Sequence, residues 1–411
     1  MNDLNIPELI DPQEDPNALS DVSKSEVINP NGVKGTLADS IQHYVQPEVT
    51  ESVVERIQSE LPKPTGVDVN PSGDNLTLTE AHSDRKISRM ERWLGPENYR
   101  IMKGLSKTWA SRIGFALIVL FALVAVFAPV IAPPVGSDPY MMPRDGFASQ
   151  PKDPGSPWKK NVPEIPFWYK AVTGNDKWVH LLGTAQGQYD IFYGIVWGTR
   201  TAFRTGFIVE MATVIIGVIL GSIAAYYGGA LDNVLMRIVD IFMTLPYIMM
   251  AMIAAAVLTP KIGKSLLPAM IAMIAFGWMG YARVIRSDIL SIKQRDYVMA
   301  AKVSGVKNSR ILFKHIIPNA IFPTLVLATL GIGSVVLSFA ALSFLGIGTP
   351  LGYSDWGQIL AFARSWINSL DKYWYIVVFP GLTLTLFVMG WNLVGDAVRD
   401  VFDPRMRGRG A

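Results

Sequence analysis

Glu210 is a lone carboxylate inside an apolar run, and the stretch from Arg283 to Asn319 sets many cations around a short apolar pattern. These are the two places where residue type and spacing could do chemistry. An ionisable group inside an apolar span is a candidate functional residue. Glu210 can stand on a solute path. Placed about one turn inside the end of a span, it can equally snorkel out or pair with Arg204. The 283–318 stretch suits docking better than catalysis. Asp296 opens a helix, where an acid favours the positive end of the dipole. Met299, Val303 and Val306 then fall at i, i+4 and i+7 and predict one apolar stripe. Gly305 stands where the short helix should end, because glycine tolerates the left-handed conformation. Asn308 or Ser309 can cap a second short helix. Pro318 disfavours helix at Ile317 and should break or kink the chain. The expected product is a helix–turn–helix with an apolar ridge, shaped to enter a groove on a soluble partner. His315 is one of four histidines and has no acidic cluster nearby, so it reads as a packed or capping residue rather than a ligand.

Other chemistries lack their residues. With no cysteine, disulfides, iron–sulfur clusters and thiol catalysis are excluded. No Gly-x4-Gly-Lys-[Ser/Thr] phosphate loop, HExxH or Gly-x-Ser-x-Gly elbow occurs, so this chain should hold no cofactor and any ATP hydrolysis must come from a partner.

The elements that position these residues follow from hydropathy and charge. The chain has 411 residues, 50% hydrophobic and 17% charged, with net charge +3 and mean hydropathy +0.28. Residues 1–95 carry 17 acidic against 8 basic side chains and read as an acidic, largely flexible tail, with helical stretches only at Val49–Leu61 and about Thr79–Leu94. The overall charge is too small to point to nucleic acid. A span needs about 20 mostly apolar residues. Six runs qualify: Ile113–Ala132, Gly206–Tyr227, Ile238–Leu258, Leu266–Ala282, Ala320–Leu345 and Tyr375–Val394. The small-residue spacing Gly217-xxx-Gly221 would let two helices approach closely. Trp374, Tyr375 and Tyr226 suit an interfacial belt. Arg100, Lys103, Lys107 and Arg112, the eight cations of 283–318, and Arg399, Arg405, Arg407 and Arg409 fall on one side of a six-span topology. The positive-inside rule makes that side, with both termini, cytoplasmic. The expected organisation is thus the tail 1–95, a lead-in and first span 96–134, an extracytoplasmic loop 135–203, a five-helix core 204–398 containing the loop 283–318, and a basic tail 399–411.

The loop resembles the EAA loop of ABC-importer permeases, in which Ala-Ala is followed after three residues by Gly. Ala300, Ala301, Gly305, Ile317 and Pro318 fit that pattern. Tyr297, Val298, His315, Ile316, Pro318 and Asn319 resemble its peptide/nickel branch. Flanking segments are similar too: His180-Leu-Leu-Gly183-Thr184, Arg237-Ile-Val-Asp240 followed by Leu245-Pro246, Trp278-Met-Gly-Tyr281-Ala282-Arg283, Ser343-Phe-Leu-Gly346, Asp355-Trp356-Gly357-Gln358, and Asn392 through Arg405; within them Arg237 and Asp240 stand at i, i+3, the spacing of a local ion pair. The resemblance spans about residues 100–135 and 178–407. It implies an all-α polytopic protein with the six-helix type I importer permease fold. It implies a C-type subunit moving di- or oligopeptides, with nickel or another small solute as the alternative. It further implies a second homologous permease, two ATPase subunits that bind ATP and Mg, and an extracytoplasmic solute-binding protein. The coupling residues would be Tyr297, Met299, Ala300, Ala301, Gly305, His315, Pro318 and Asn319. Met299 stands where many members have Glu. Thr184 through Asp190 alters the family's Gly-Thr-Asp-x-x-Gly-Arg-Asp pattern, and 136–177 is longer than usual. An ion-coupled transporter is the rival from another class. It would need paired charges at mid-span depth, and the spans hold almost none.

Overall fold

The computed structural model describes residues 26–28, 34–36, 95, 104–105 and 108–402. The chain divides into two units, Met1–Arg85 and Lys86–Ala411. In the first, β1 (Glu26–Ile28) pairs antiparallel with β2 (Lys34–Thr36), Val27 opposite Gly35. The helices expected at Val49–Leu61 and Thr79–Leu94, and the tail after Phe402, lie outside the described residues.

The second unit is mainly helical among its described residues, with a largely irregular stretch over 132–190. Five helices are long and apolar enough to cross a membrane, and a bent pair makes a sixth. These are α1 (Trp109–Ile131), α3 (Ile191–Tyr227), the pair α4 (Gly229–Met243) and α5 (Tyr247–Ile262), α6 (Leu266–Ile292), α8 (Phe322–Phe344) and α10 (Tyr375–Phe402). Short α2 (Phe167–Thr173), α7 (Asp296–Val303) and α9 (Trp356–Phe362) lie in the connections.

The third span departs from expectation. A single helix over Ile238–Leu258 does not form. The chain turns by 91° between α4 and α5. Pro246 sits at φ −62°, ψ 120° at the turn, where it supplies no N–H and disfavours helix at Leu245. α3 starts at Ile191, well before the expected Gly206, because Asp190 caps it by accepting from the Tyr193 N–H at 3.0 Å. Its first turns hold Thr199, Arg200, Thr201 and Arg204, which mask a helix from a hydropathy reading. Of the three residues expected at an interfacial belt, Trp374 is half-exposed. Tyr226 and Tyr375 are buried, and the Tyr375 hydroxyl donates to the Lys152 carbonyl at 2.9 Å.

Apolar burial gives little drive between helices in lipid, so close packing must hold the bundle. The Gly217-xxx-Gly221 spacing does this on α3 against α6. A Cβ on Gly217 would lie 2.6 Å from the Trp278 carbonyl oxygen, and one on Gly221 would overlap the Ala282 backbone. Gly221→Leu is therefore expected to prevent assembly of the bundle, since backbone cannot yield as a side chain does. Overpacking commonly costs about 1–3 kcal/mol even where side chains can give. The yield of monodisperse extracted protein checks this, and a wild-type yield would refute it.

α3 gives the bundle its two ends. At its start, Trp197 Nε1 donates to the Ala132 carbonyl at 3.0 Å, and residues 132–190 gather there. They meet the connection after α8, where the Met142 N–H donates to Gly352 O at 2.8 Å and the Ser354 N–H to Tyr140 O at 2.7 Å. That connection is locked by Gln358, whose Oε1 accepts from the Gly352 N–H at 2.6 Å while Nε2 donates to Pro350 O at 2.9 Å. At the other end of α3, the Tyr226 hydroxyl donates to Asn308 Oδ1 at 2.8 Å. The loop after α6 thus lies at the opposite end from 132–190.

Candidate functional sites in the bundle

The loop after α6 has a built base and an exposed crest. Ile285, Ile289 and Ile292 of α6 pack in one buried cluster with Val298, Ile311, Leu312 and Ile316 of the loop and with Val214, Val218 and Ala225 of α3. Lys293 Nζ donates to the Tyr226 carbonyl at 2.7 Å, placing a cation on the negative end of α3. α7 ends as the sequence predicts. Gly305 has φ +72°. Its N–H donates to Lys302 O at 3.0 Å, and the Val306 N–H to Ala301 O at 3.2 Å. This is the Schellman pairing, and Val306 and Ala301 are both half-buried against the cluster, the apolar contact that goes with it.

Three expectations for this loop need correction. The apolar stripe does not include Val306, because the left-handed step at Gly305 turns it inward. Met299 (50% exposed) and Val303 (88% exposed) stay on the surface, with Tyr297 and Phe313 also exposed. Neither Asn308 nor Ser309 caps the second helix. Lys307 stands at the cap with no side-chain bond, and the Asn308 side chain is taken by Tyr226. Nor does Pro318 break the chain at Ile317, which is helical at φ −55°, ψ −46°. A π-turn over Ile311–Ile316 precedes it, with the Ile317 N–H reaching Leu312 O. That wider turn accommodates the proline. Among the expected coupling residues, Tyr297, Met299, Ala300, Gly305, Pro318 and Asn319 are exposed, while Ala301 and His315 are half-buried. The His315 carbonyl accepts from Asn319 Nδ2 at 2.6 Å.

Two ion pairs tie α6 to α4. Arg286 grips Asp232 with both Nε and Nη2 at 2.6 Å, and Arg283 Nη2 donates to Asp240 at 2.6 Å. Asp240 thus pairs across helices, not with Arg237 on its own helix as the i, i+3 spacing predicts.

Glu210 also departs from expectation. The early start of α3 puts it near the middle of a 37-residue helix. It is 2% exposed and accepts a hydrogen bond from the Tyr281 hydroxyl, not from Arg204. It lines a cavity of about 440 Å³ between α3, α6, α8 and the α4–α5 bend.

A third cluster lies in 132–190. His180 is fully buried, with Nδ1 2.7 Å from Asp190 Oδ2 and Nε2 3.2 Å from Asp145 Oδ2. The Trp158 ring lies 4.1 Å from its own, centroid to centroid. Asp145 pairs with Lys152 and accepts from the Lys159 N–H at 2.8 Å and from the Lys160 N–H. Burial alone would raise the Asp145 carboxyl. Lys152, the Lys160 N–H, His180 and the Lys159 N–H outweigh it and hold the group below its ordinary value. Sequence reading missed Asp145, which lies in the stretch left unread. Its only signal is a carboxylate among Pro, Gly and Trp.

These features define a polytopic helical membrane protein with a loop of exposed crest and buried base at one end and a closed polar knot at the other. Residues 217–408 match the family described as binding-protein-dependent transport system inner membrane component. The chain is 33% identical to the dipeptide transport system permease protein DppC of Alkalihalophilus pseudofirmus, over 74% of this chain and 89% of that protein. It is 33% identical to the oligopeptide transport system permease protein OppC of Bacillus subtilis, over 72% of this chain and 85% of that one. A chain of the inward-facing MetNI methionine ABC transporter aligns at TM-score 0.42 and 20% identity, covering 52% of this chain and 98% of that one. The protein belongs to the permease family of binding-protein-dependent transport systems, and is a multi-pass inner-membrane protein.

Proposed function

We propose that this chain is a translocation subunit of an ATP-driven importer for di- or oligopeptides. It pairs with a second, related permease, and an extracytoplasmic binding protein delivers the solute. Two ATPase subunits hold ATP and Mg and dock on the 283–318 loops, so this end and both termini face the cytoplasm. The observation that carries the reading is the loop itself: an exposed crest of Met299 and Val303 on a base packed into α3 and α6. An exposed valine beside a stop at Gly305 is suited to a groove on a partner. Force on the crest would pass through Val298, Leu312 and Ile316 to three helices at once. The peptide substrate is supported by the DppC and OppC relatives.

The test is recovery of partners with gently extracted, tagged protein. A second permease and an ATPase are expected to co-purify, and their absence at normal expression would remove the reading's main support. Val303→Asp, which places a charge on an 88% exposed position, is expected to leave the amount of membrane-inserted chain unchanged. It should lower ATPase recovery about tenfold, equivalent to about 1.4 kcal/mol. Full recovery would place the docking surface elsewhere.

A further inference from the structure

Glu210 places a carboxyl group in the middle of the bundle with no partner of opposite charge among the described residues. Tyr281 donates to its Oε1, while Oε2 takes no hydrogen bond among the described residues. Among the described residues, no lysine, arginine or histidine lines the cavity it faces. Gly331 keeps the position open, because a Cβ there would overlap both the carboxylate and the Tyr281 hydroxyl. α3 and α8 therefore approach in a way that makes room for this acid, although a buried unpaired carboxylate is costly.

We propose that this cavity is a translocation subsite in which Glu210 receives a ligand's primary ammonium group, the free α-amino terminus of a peptide. This rests on the importer reading above. An ammonium has three N–H donors and no acceptor. Glu210 Oε2 is a free acceptor, and the hydroxyls of Ser334 and Ser338, one turn apart on α8, line the same space. Phe242 and Phe276 add aromatic faces, which attract cations. Met243 and Met250 complete an adaptable apolar wall that can accept varied side chains. The volume, about 440 Å³, lies within the ordinary range for small-ligand sites. A divalent metal is a poorer fit, since it needs several hard ligands and the lining has one carboxylate. The feature common to all peptides would be read by charge, and the variable side chains would be left to methionine and aromatic surface.

The test uses the assembled importer with its binding protein in proteoliposomes. Initial uptake rates are measured for alanyl-phenylalanine and for its desamino analogue, propionyl-phenylalanine, at saturating binding protein. Glu210→Gln is expected to lower uptake of the dipeptide at least about tenfold and leave uptake of the analogue unchanged. Glu210→Asp, which keeps the charge, should retain at least about a third of dipeptide uptake. Equal loss in the Gln and Asp variants, at wild-type membrane levels, would make Glu210 a packing residue and overturn the proposal. So would an unchanged ratio of dipeptide to analogue in Glu210→Gln. The comparison of Gln with Asp decides the matter even where the analogue is not carried. If the wild-type importer moves neither compound, the peptide-importer reading fails, and this subsite with it.

Discussion

Gly305→Ile is expected to abolish uptake while leaving the chain inserted in the membrane. The reason is backbone geometry, not crowding. Gly305 lies at φ +72°, and a Cβ there would meet nothing within 4 Å. A left-handed residue other than glycine costs roughly 1–2 kcal/mol, and a β-branched one is a true outlier. That strain opposes the two hydrogen bonds from Gly305 and Val306 that stop α7. If α7 runs on or unravels, Val306 leaves the buried cluster and the crest of Met299 and Val303 is re-aimed. Gly305→Asn should retain most of the uptake, because asparagine tolerates this conformation. Comparing uptake with membrane content for the two variants settles the point. Normal transport by Gly305→Ile would refute the coupling role proposed for this loop.

The second large effect is expected at the opposite end. Asp145→Ala should open residues 138–190. Asp145 gathers Lys152, His180 and two backbone N–H groups in a buried site. Removing one partner of a buried ion pair typically costs about 3–5 kcal/mol, because the other charge is left without compensation. Faster hydrogen exchange or proteolysis confined to this segment would report the opening, and wild-type protection would refute it. The pH dependence has a definite sign. The folded-state value of Asp145 is depressed, so its contribution is complete above the unfolded carboxylate value of about 3.9 and is lost as pH falls through the lower folded value. Its share in protecting the segment should therefore persist at pH 5.

Much of this molecule was legible from short-range rules. The close of α7 at Gly305 follows from one residue's conformational freedom, and the α3–α6 contact from Gly217 and Gly221. Span positions followed from hydropathy wherever the whole helix was apolar. What failed was whatever depends on a partner distant in sequence. Asp240 finds Arg283 rather than Arg237, and Asn308 is claimed by Tyr226 instead of capping its own helix. Val306 turns inward because a single left-handed step resets the helical phase. The place of Glu210 along α3 was hidden because the polar first turns mask where the helix starts. The Asp145 cluster joins residues up to 45 positions apart in chain order, from Asp145 to Asp190, and no local pattern announces it.

α3 runs 37 residues with no proline inside it. At 1.5 Å per residue it is about 56 Å long. Asp190 ties one end to the polar knot, and Tyr226 ties the other to the loop after α6. A stiff rod tilting about its midpoint by about 5° carries each tip roughly 2.5 Å, in opposite senses. On the proposed importer reading, opening at one membrane face and closing at the other would then be one motion. Glu210, one residue from the midpoint at Val209, is among the residues of this rod that such a tilt displaces least.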